Sequence, residues 1–201
     1  YAVAAATSPA TIDILRDIKI DTTLMISKNI TINGHGHSIT ASSTFAYAAD
    51  VLRAMVHGGP TADLSLADVT LNADGKARTV VINSGTLRIS GNTMVTGGST
   101  TDSYVGGVYL TGTAHLYMDG GYITDNHVSS AYADTYLKYS ADLWVGSQAS
   151  ADISGGTVGS MFINANRFSL TDANVVFSAT ATNVFVEYDA GNAAQLHKTG
   201  G

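Results

Sequence analysis

The run Val80-Val-Ile-Asn-Ser-Gly-Thr-Leu-Arg-Ile-Ser-Gly-Asn-Thr-Met94 and its echo Val108-Tyr-Leu-Thr-Gly-Thr-Ala-His-Leu-Tyr-Met-Asp-Gly-Gly-Tyr-Ile123 decide how this chain folds. Each holds two apolar-x-apolar strands split by a glycine turn. Successive strand residues face opposite sides, so the paired apolar positions point inward and the residue between them points out. Further copies run from Leu143 to Val158 and from Met161 to Val175. Aligned, they bring Leu87/Ile89, Leu116/Met118, Ala151/Ile153 and Phe168/Leu170 into one register. Extending that register outward adds Leu24/Ile26, Leu64/Leu66 and Ala194/Leu196.

Self-similarity with a short period identifies a solenoid, in which each winding buries its apolar side only against its neighbours. The expected fold is all-β: a right-handed parallel β-helix of about seven coils, forming a single domain over residues 1–201 with a possible short N-terminal capping helix. Glycine and asparagine accept the left-handed backbone of tight corners, which suits Ser90-Gly91-Asn92, Asp119-Gly120-Gly121 and Ser154-Gly155-Gly156. The fourth copy places its turn at Thr171-Asp172-Ala173. Uneven spacing then means loops of different length leaving a constant coil, the longest being 97–106, 125–142 and parts of 34–63. A β-sandwich also shows short alternating strands between turns and is the competing architecture. The only stretches with helical character are Ala5 to Arg16, read as the remnant of a cap, and Phe45 to Met55.

Composition narrows the function. Of the 201 residues only 13% are charged, the net charge is -6, and no Lys/Arg cluster is present, so an extended phosphate-binding surface is not expected. There is no cysteine, which removes disulfides and thiolate metal sites. No window approaches the roughly 20 apolar residues of a membrane-spanning helix. The chain opens on Tyr1 without a methionine and reads as a fragment of a longer surface protein, expected outside the cell or on its surface.

The segments Ile12-Asp-Ile-Leu-Arg-Asp-Ile18 and Leu24-Met-Ile-Ser-Lys-Asn-Ile-Thr-Ile-Asn-Gly-His-Gly-His-Ser-Ile-Thr40 resemble the first coils of pectate-lyase-like β-helix proteins. Gly106-Gly-Val-Tyr-Leu110 and Met118-Asp-Gly-Gly-Tyr-Ile-Thr-Asp-Asn126 are similar to coils of adhesin-like surface proteins of bacteria and archaea. These motifs specify coil geometry and not chemistry. The Gly-Gly-Ala-Ile and Phe-x-x-Asn repeats of chlamydial polymorphic membrane proteins, which share the architecture, are missing.

Catalysis finds little support in the sequence. Enzymes of this fold need clustered carboxylates, to hold Ca²⁺ beside an arginine base or to act as an acid and base on a glycosidic bond. Gly34-His35-Gly36 superficially matches a polygalacturonase motif, but the Asn-Thr-Asp and Asp-Asp pairs that should precede it are missing. His35 and His37 offer two metal ligands where three or four are usual. No phosphate loop and no Gly-x-Ser-x-Gly elbow occurs, so no cofactor, metal or serine nucleophile is expected. A polysaccharide-acting lyase or hydrolase remains the alternative.

One pattern exceeds turn chemistry. The outward residue of the first strand in successive copies is Val81, Tyr109, Trp144, Phe162 and Phe185. Strands lie ~4.8 Å apart, so the four aromatics form a stripe on the order of 15 Å long. The insertion before Trp144 adds Tyr132, Tyr136 and Tyr139. Two roles follow for these seven residues: a docking surface for a glycan or protein on another surface, or a satellite core under the insertion or a neighbouring domain. Self-association into a stalk or filament is the third expectation, since open solenoid ends expose strand edges.

Overall fold

A computed structural model describes residues 2–101, 105–164, 174–189, 192–193 and 195–198. Within these residues the chain is nearly all β and winds through three ladders of parallel strands. The first ladder stacks Ala10–Asp13, Asn29–Asn33, Asp63–Ala67, Thr86–Ser90, His115–Met118, Ser150–Ile153, Asn174–Phe177 and Gln195–Lys198. The second stacks Ile18–Thr22, Ser38–Ala46, Thr70–Asn72, Met94–Thr96 and Tyr122–Ile123. The third stacks Leu24–Ile26, Ala54–Gly58, Arg78–Asn83, Val108–Thr111 and Leu143–Val145. The strand Thr157–Ile163 joins the last two: Val158 pairs with Ile123 and Met161 with Leu143, and Thr180–Val186 lies along it. One antiparallel pair, Tyr188–Asp189 with Asn192–Ala193, sits near the end.

Alternation drives this arrangement. Leu64, Leu87, Leu116 and Ala151 occupy one register position on consecutive strands, and Leu66, Ile89, Met118 and Ile153 occupy the next inward one. All are buried in a single core that also takes in Ile39, Leu71, Val95 and Ile123 from the second ladder and Val80, Val108, Leu143 and Met161 from the third. Each large aliphatic side chain buried this way contributes about 1.5–3 kcal/mol. Between the first and second ladders the chain turns sharply at Gly121 and Gly156, with φ of +84° and +86°, a conformation that a side chain would oppose.

Several sequence expectations need correction. Leu24/Ile26 do not continue the Leu64/Leu66 stack. They belong to the third ladder under Val56 and Gly58, and the positions below Leu64 and Leu66 are filled by Ile30 and Ile32. The same apolar-x-apolar doublet serves all three ladders, so local alternation does not tell one from another. Phe168, Leu170 and the turn 171–173 lie outside the described residues. The strand following Ala151/Ile153 in the stack carries Val175/Phe177. Leu196 is opposite Val175 and Lys198 opposite Phe177, which displaces the Ala194/Leu196 doublet by two residues; Ala194 itself is outside the described residues.

Neither long helical stretch forms. The N-terminal helix is confined to Ala2–Ala5, where Val3 is buried against the core. It stops before Pro9, whose ring and missing N–H break helices, and a strand begins at Ala10. Phe45 lies in the strand Ser38–Ala46, and 50–53 is a turn with positive φ at Asp50, Leu52 and Arg53.

Candidate ligand cleft beside a covered aromatic row

The third ladder places Met25, His57, Val81, Tyr109, Trp144, Phe162 and Phe185 at one register position, so all seven side chains leave the coil on the same side. Adjacent rungs then bring the aromatic rings into contact. Trp144 and Phe162 stack with centroids 4.3 Å apart and planes 3° off parallel, Phe162 and Phe185 stack at 4.9 Å, and Tyr109 meets Trp144 edge-on at 6.3 Å.

Facing out of the coil does not mean facing water. Trp144 is 6% exposed and Phe162 1%, because Val105 and Leu137 pack over them in a second, smaller core. Tyr109 and Phe185 are half-buried at its edges. Tyr139 lies parallel to Phe185 at 6.3 Å. The side chains of Tyr132 and Tyr136 are outside the described residues, although the backbone turns that carry them are not: Ser130–Tyr132 and Tyr136–Ser140 are two 3₁₀ turns. Ser129 caps the first by accepting from the Ala131 N–H, and Thr135 caps the second by accepting from the Leu137 N–H.

A buried polar node pins this strap to the coil. The Asn126 amide donates to the Val95 and Thr124 carbonyls and to the Asp142 carboxylate, and its oxygen accepts from the Gly98 N–H and the Thr79 hydroxyl. Asp142 also accepts from the Asn126 N–H, the Ser160 N–H and the Ser160 hydroxyl. Burial pushes the Asp142 carboxyl above its ordinary range, against the pull of these four donors. The loop 97–106 is tied in by backbone bonds from Gly106 to Ala141 and from His127 to Gly98. At Gly98 and Gly106 the two backbones meet so closely that a Cβ on Gly98 would lie 1.8 Å from the Gly106 oxygen.

Below the strap the row continues through buried Val81 to His57. Partial burial lowers the pKa of His57, whose Nδ1 has no hydrogen-bond partner. Arg78, 4% exposed, reaches over Tyr109 with its guanidinium 5.5 Å from the ring centre and donates to the Leu52 carbonyl.

Beside the row opens a cleft of about 530 Å³. Its wall is Tyr109, Trp144, Phe162 and Leu137, and its rim is Thr111, Ser147, Gln148, Asn164 and Glu187. The Asn164 amide donates to the Glu187 carboxylate at 2.5 Å. Asn164 and Glu187 directly follow the strands that carry Phe162 and Phe185, and a backbone bond from Glu187 to Ile163 holds them one above the other. A second opening of about 580 Å³, lined in part by His127, Lys138, Tyr139, Asp142 and Asn183, lies against the opposite flank of the strap.

The structure thus gathers Tyr109, Trp144, Phe162 and Phe185, as their register implied, and brings Tyr139 of the insertion against Phe185. The rim residues Gln148, Asn164 and Glu187 were not singled out in the sequence; their signal, a polar residue at the exit of an aromatic strand, becomes readable only once the ladder is known. Elsewhere His35 pairs with Asp13 at 2.7 Å and His37 lies 3.6 Å from Asp17, on the corner after Asn29–Asn33. Among the described residues no three His, Asp or Glu side chains gather as a metal-binding group, and no helix is long and apolar enough to cross a membrane. No protein-family model, curated protein or solved structure matches the chain.

Proposed function

We propose that this chain is a right-handed parallel β-helix module of about seven coils that works outside the cell, as part of an adhesin-like surface protein, by holding a neutral saccharide in the cleft beside Trp144. The observation that carries this is the cleft's composition. Aromatic rings form one wall, amide and hydroxyl groups form the rim, and among the described lining residues there is no Lys, Arg or His. The half-buried Tyr109 ring is the wall's accessible aromatic surface for the C–H face of a sugar, with Trp144 and Phe162 packed behind it, while Gln148, Asn164 and Glu187 match its hydroxyls. A uronate or sialate would meet Glu187 with no cation among the described lining residues to offset the repulsion. Glycoside hydrolysis ordinarily needs two carboxyl groups across the bond, and Glu187 is the cleft's one carboxylate among the described residues, which favours holding over cleaving.

Trp144 is the chain's one tryptophan, so its fluorescence reports directly on this cleft. Titration with neutral gluco-, manno- and xylo-oligosaccharides is expected to shift the emission, and Gln148→Ala or Glu187→Gln to weaken the response at least tenfold with the melt unchanged. Binding of acidic oligosaccharides alone, or a response indifferent to both substitutions, overturns the reading. New reducing ends in the same mixtures would replace it with an enzyme.

A further inference from the structure

The outer side of the first ladder carries an arrangement that the cleft does not use. Ser150 and Asp152 are two residues apart on one strand, so their side chains leave on the same side. On the neighbouring strand His115 is in register with Ser150 and Tyr117 with Asp152. The imidazole of His115 bridges the two: its Nδ1 is 2.5 Å from the Ser150 hydroxyl and its Nε2 is 3.1 Å from the Asp152 carboxylate. A carboxylate only accepts, so in the neutral ring Nε2 carries the hydrogen, and Nδ1 is left with a lone pair that accepts from Ser150. The ring is held in place by Tyr117, 4.1 Å away, and Tyr117 is in turn covered by the Arg88 guanidinium at 4.5 Å, which also bonds Asp63. His115 and Asp152 have side chains 24% and 48% exposed, so reagents reach the group from solvent. A depression of about 360 Å³ lined by Arg88, Tyr117, Asp119 and Asp152 adjoins it.

We propose that Ser150 is an activated nucleophile that accepts the acyl group of an activated ester. The Ser150 oxygen bonds to the acyl carbon as its proton passes to His115 Nδ1. The ester C–O bond breaks, and the leaving alcohol departs with the proton returned by His115. Asp152 orients the ring and balances the imidazolium charge, as in serine hydrolases. The Ser150 N–H donates to the Ala114 carbonyl at 2.9 Å and is not available to an oxyanion. Loss of such a donor slows both acylation and deacylation on the order of 10²–10³-fold, but the alcohol of an activated ester leaves far more readily than the Ser150 oxygen, so acylation outruns attack by water and the acyl-serine accumulates.

The test is incubation of the full chain with p-nitrophenyl acetate, followed by peptide mass spectrometry. Acetylation of Ser150 is expected to outpace that of Ser90 and Ser154, on the same face, by on the order of 10²-fold, the contribution of a positioned base. His115→Gln is expected to erase that advantage, and Asp152→Asn to reduce it, with both variants keeping the parent melt. Equal labelling of the three serines, a Ser150 rate indifferent to His115→Gln, or acetyl residing on His115 overturns the proposal. None of these outcomes touches the saccharide cleft, which lies on another ladder.

Discussion

Trp144 and Phe162 sit at the same register position on adjacent parallel strands and stack face to face, 4.3 Å between ring centres. They are 18 residues apart in sequence and one rung apart in space. This contact is the centre of a satellite core that Leu137 and Val105 complete, and it fixes what a substitution there will do.

Trp144→Ala removes a buried ring that stacks on Phe162 and meets Tyr109 edge-on. Large-to-small changes of this kind cost about 3–5 kcal/mol. The expected result is a lowered denaturation midpoint together with loss of saccharide binding, whereas Gln148→Ala is expected to lose binding alone. Chemical denaturation followed by far-UV circular dichroism separates the two; an unchanged midpoint for Trp144→Ala would mean that the strap does not cover the row in solution.

Asp142 on one side and Asp17 and Asp21 on the other should respond to pH in opposite directions. The carboxyl of Asp142 is raised by burial, so the folded state holds its proton more tightly than the unfolded chain. Its contribution to stability therefore grows as pH falls from neutral through the raised value and is fully present below the ordinary value of 3.8. Asp17 is lowered by hydrogen bonds from Ser38 and Asp21 by those from Ser42 and Thr44. Their contributions are present above 3.8 and are lost as pH falls below it. Comparing denaturation midpoints of the parent and Asp142→Asn between pH 7 and pH 4 is expected to show the parent gaining on the variant toward acid. A constant gap contradicts the assignment.

His57 makes the complementary case for a base. Burial lowers its pKa from 6.5, so protonation is easier in the unfolded chain and stability is lost as pH drops through that value. His57→Leu removes the orphaned Nδ1 and places an apolar side chain in register with Met25 and Val81. The variant's advantage over the parent is expected to be larger at pH 5 than at pH 8, measured as a difference in melting temperature. An advantage of the same size at both values would remove His57 from the account.

Gly107 is where the strap's anchor and the third ladder come closest. A Cβ there would lie 2.2 Å from the Asp142 carbonyl and 2.8 Å from the Asn126 amide nitrogen. Gly107→Ala is expected to loosen the whole node and to open the Val105 and Leu137 contacts, read as faster proteolysis within 125–142. Gly59→Ala, where a Cβ meets nothing within 4 Å, is the matched control and should change stability by less than about 0.5 kcal/mol. Equal protease sensitivity of the two variants would place the anchor elsewhere.

Much of this was legible in advance. The doublets Leu64/Leu66, Leu87/Ile89, Leu116/Met118 and Ala151/Ile153 stack as their alternation implied, and so does the row from Val81 to Phe185. The loops 97–106 and 125–142 leave the coil between the second and third ladders. What misled was identity of pattern: Leu24/Ile26 and Ile30/Ile32 are the same motif on consecutive strands, and only pairing decides which one lies under Leu64/Leu66.

By itself the amino-acid sequence determined the inside and outside of each strand, because side-chain alternation is a property of every extended segment taken alone. It also determined which outward positions are aromatic. Only the tertiary structure decided whether those rings meet water, since that depends on where the strap of 125–142 lands, and which distant polar residues meet. Asn126 with Asp142, and Ser150 with His115, are joined by stacking of windings whose lengths differ, so no fixed spacing along the chain announces either pair.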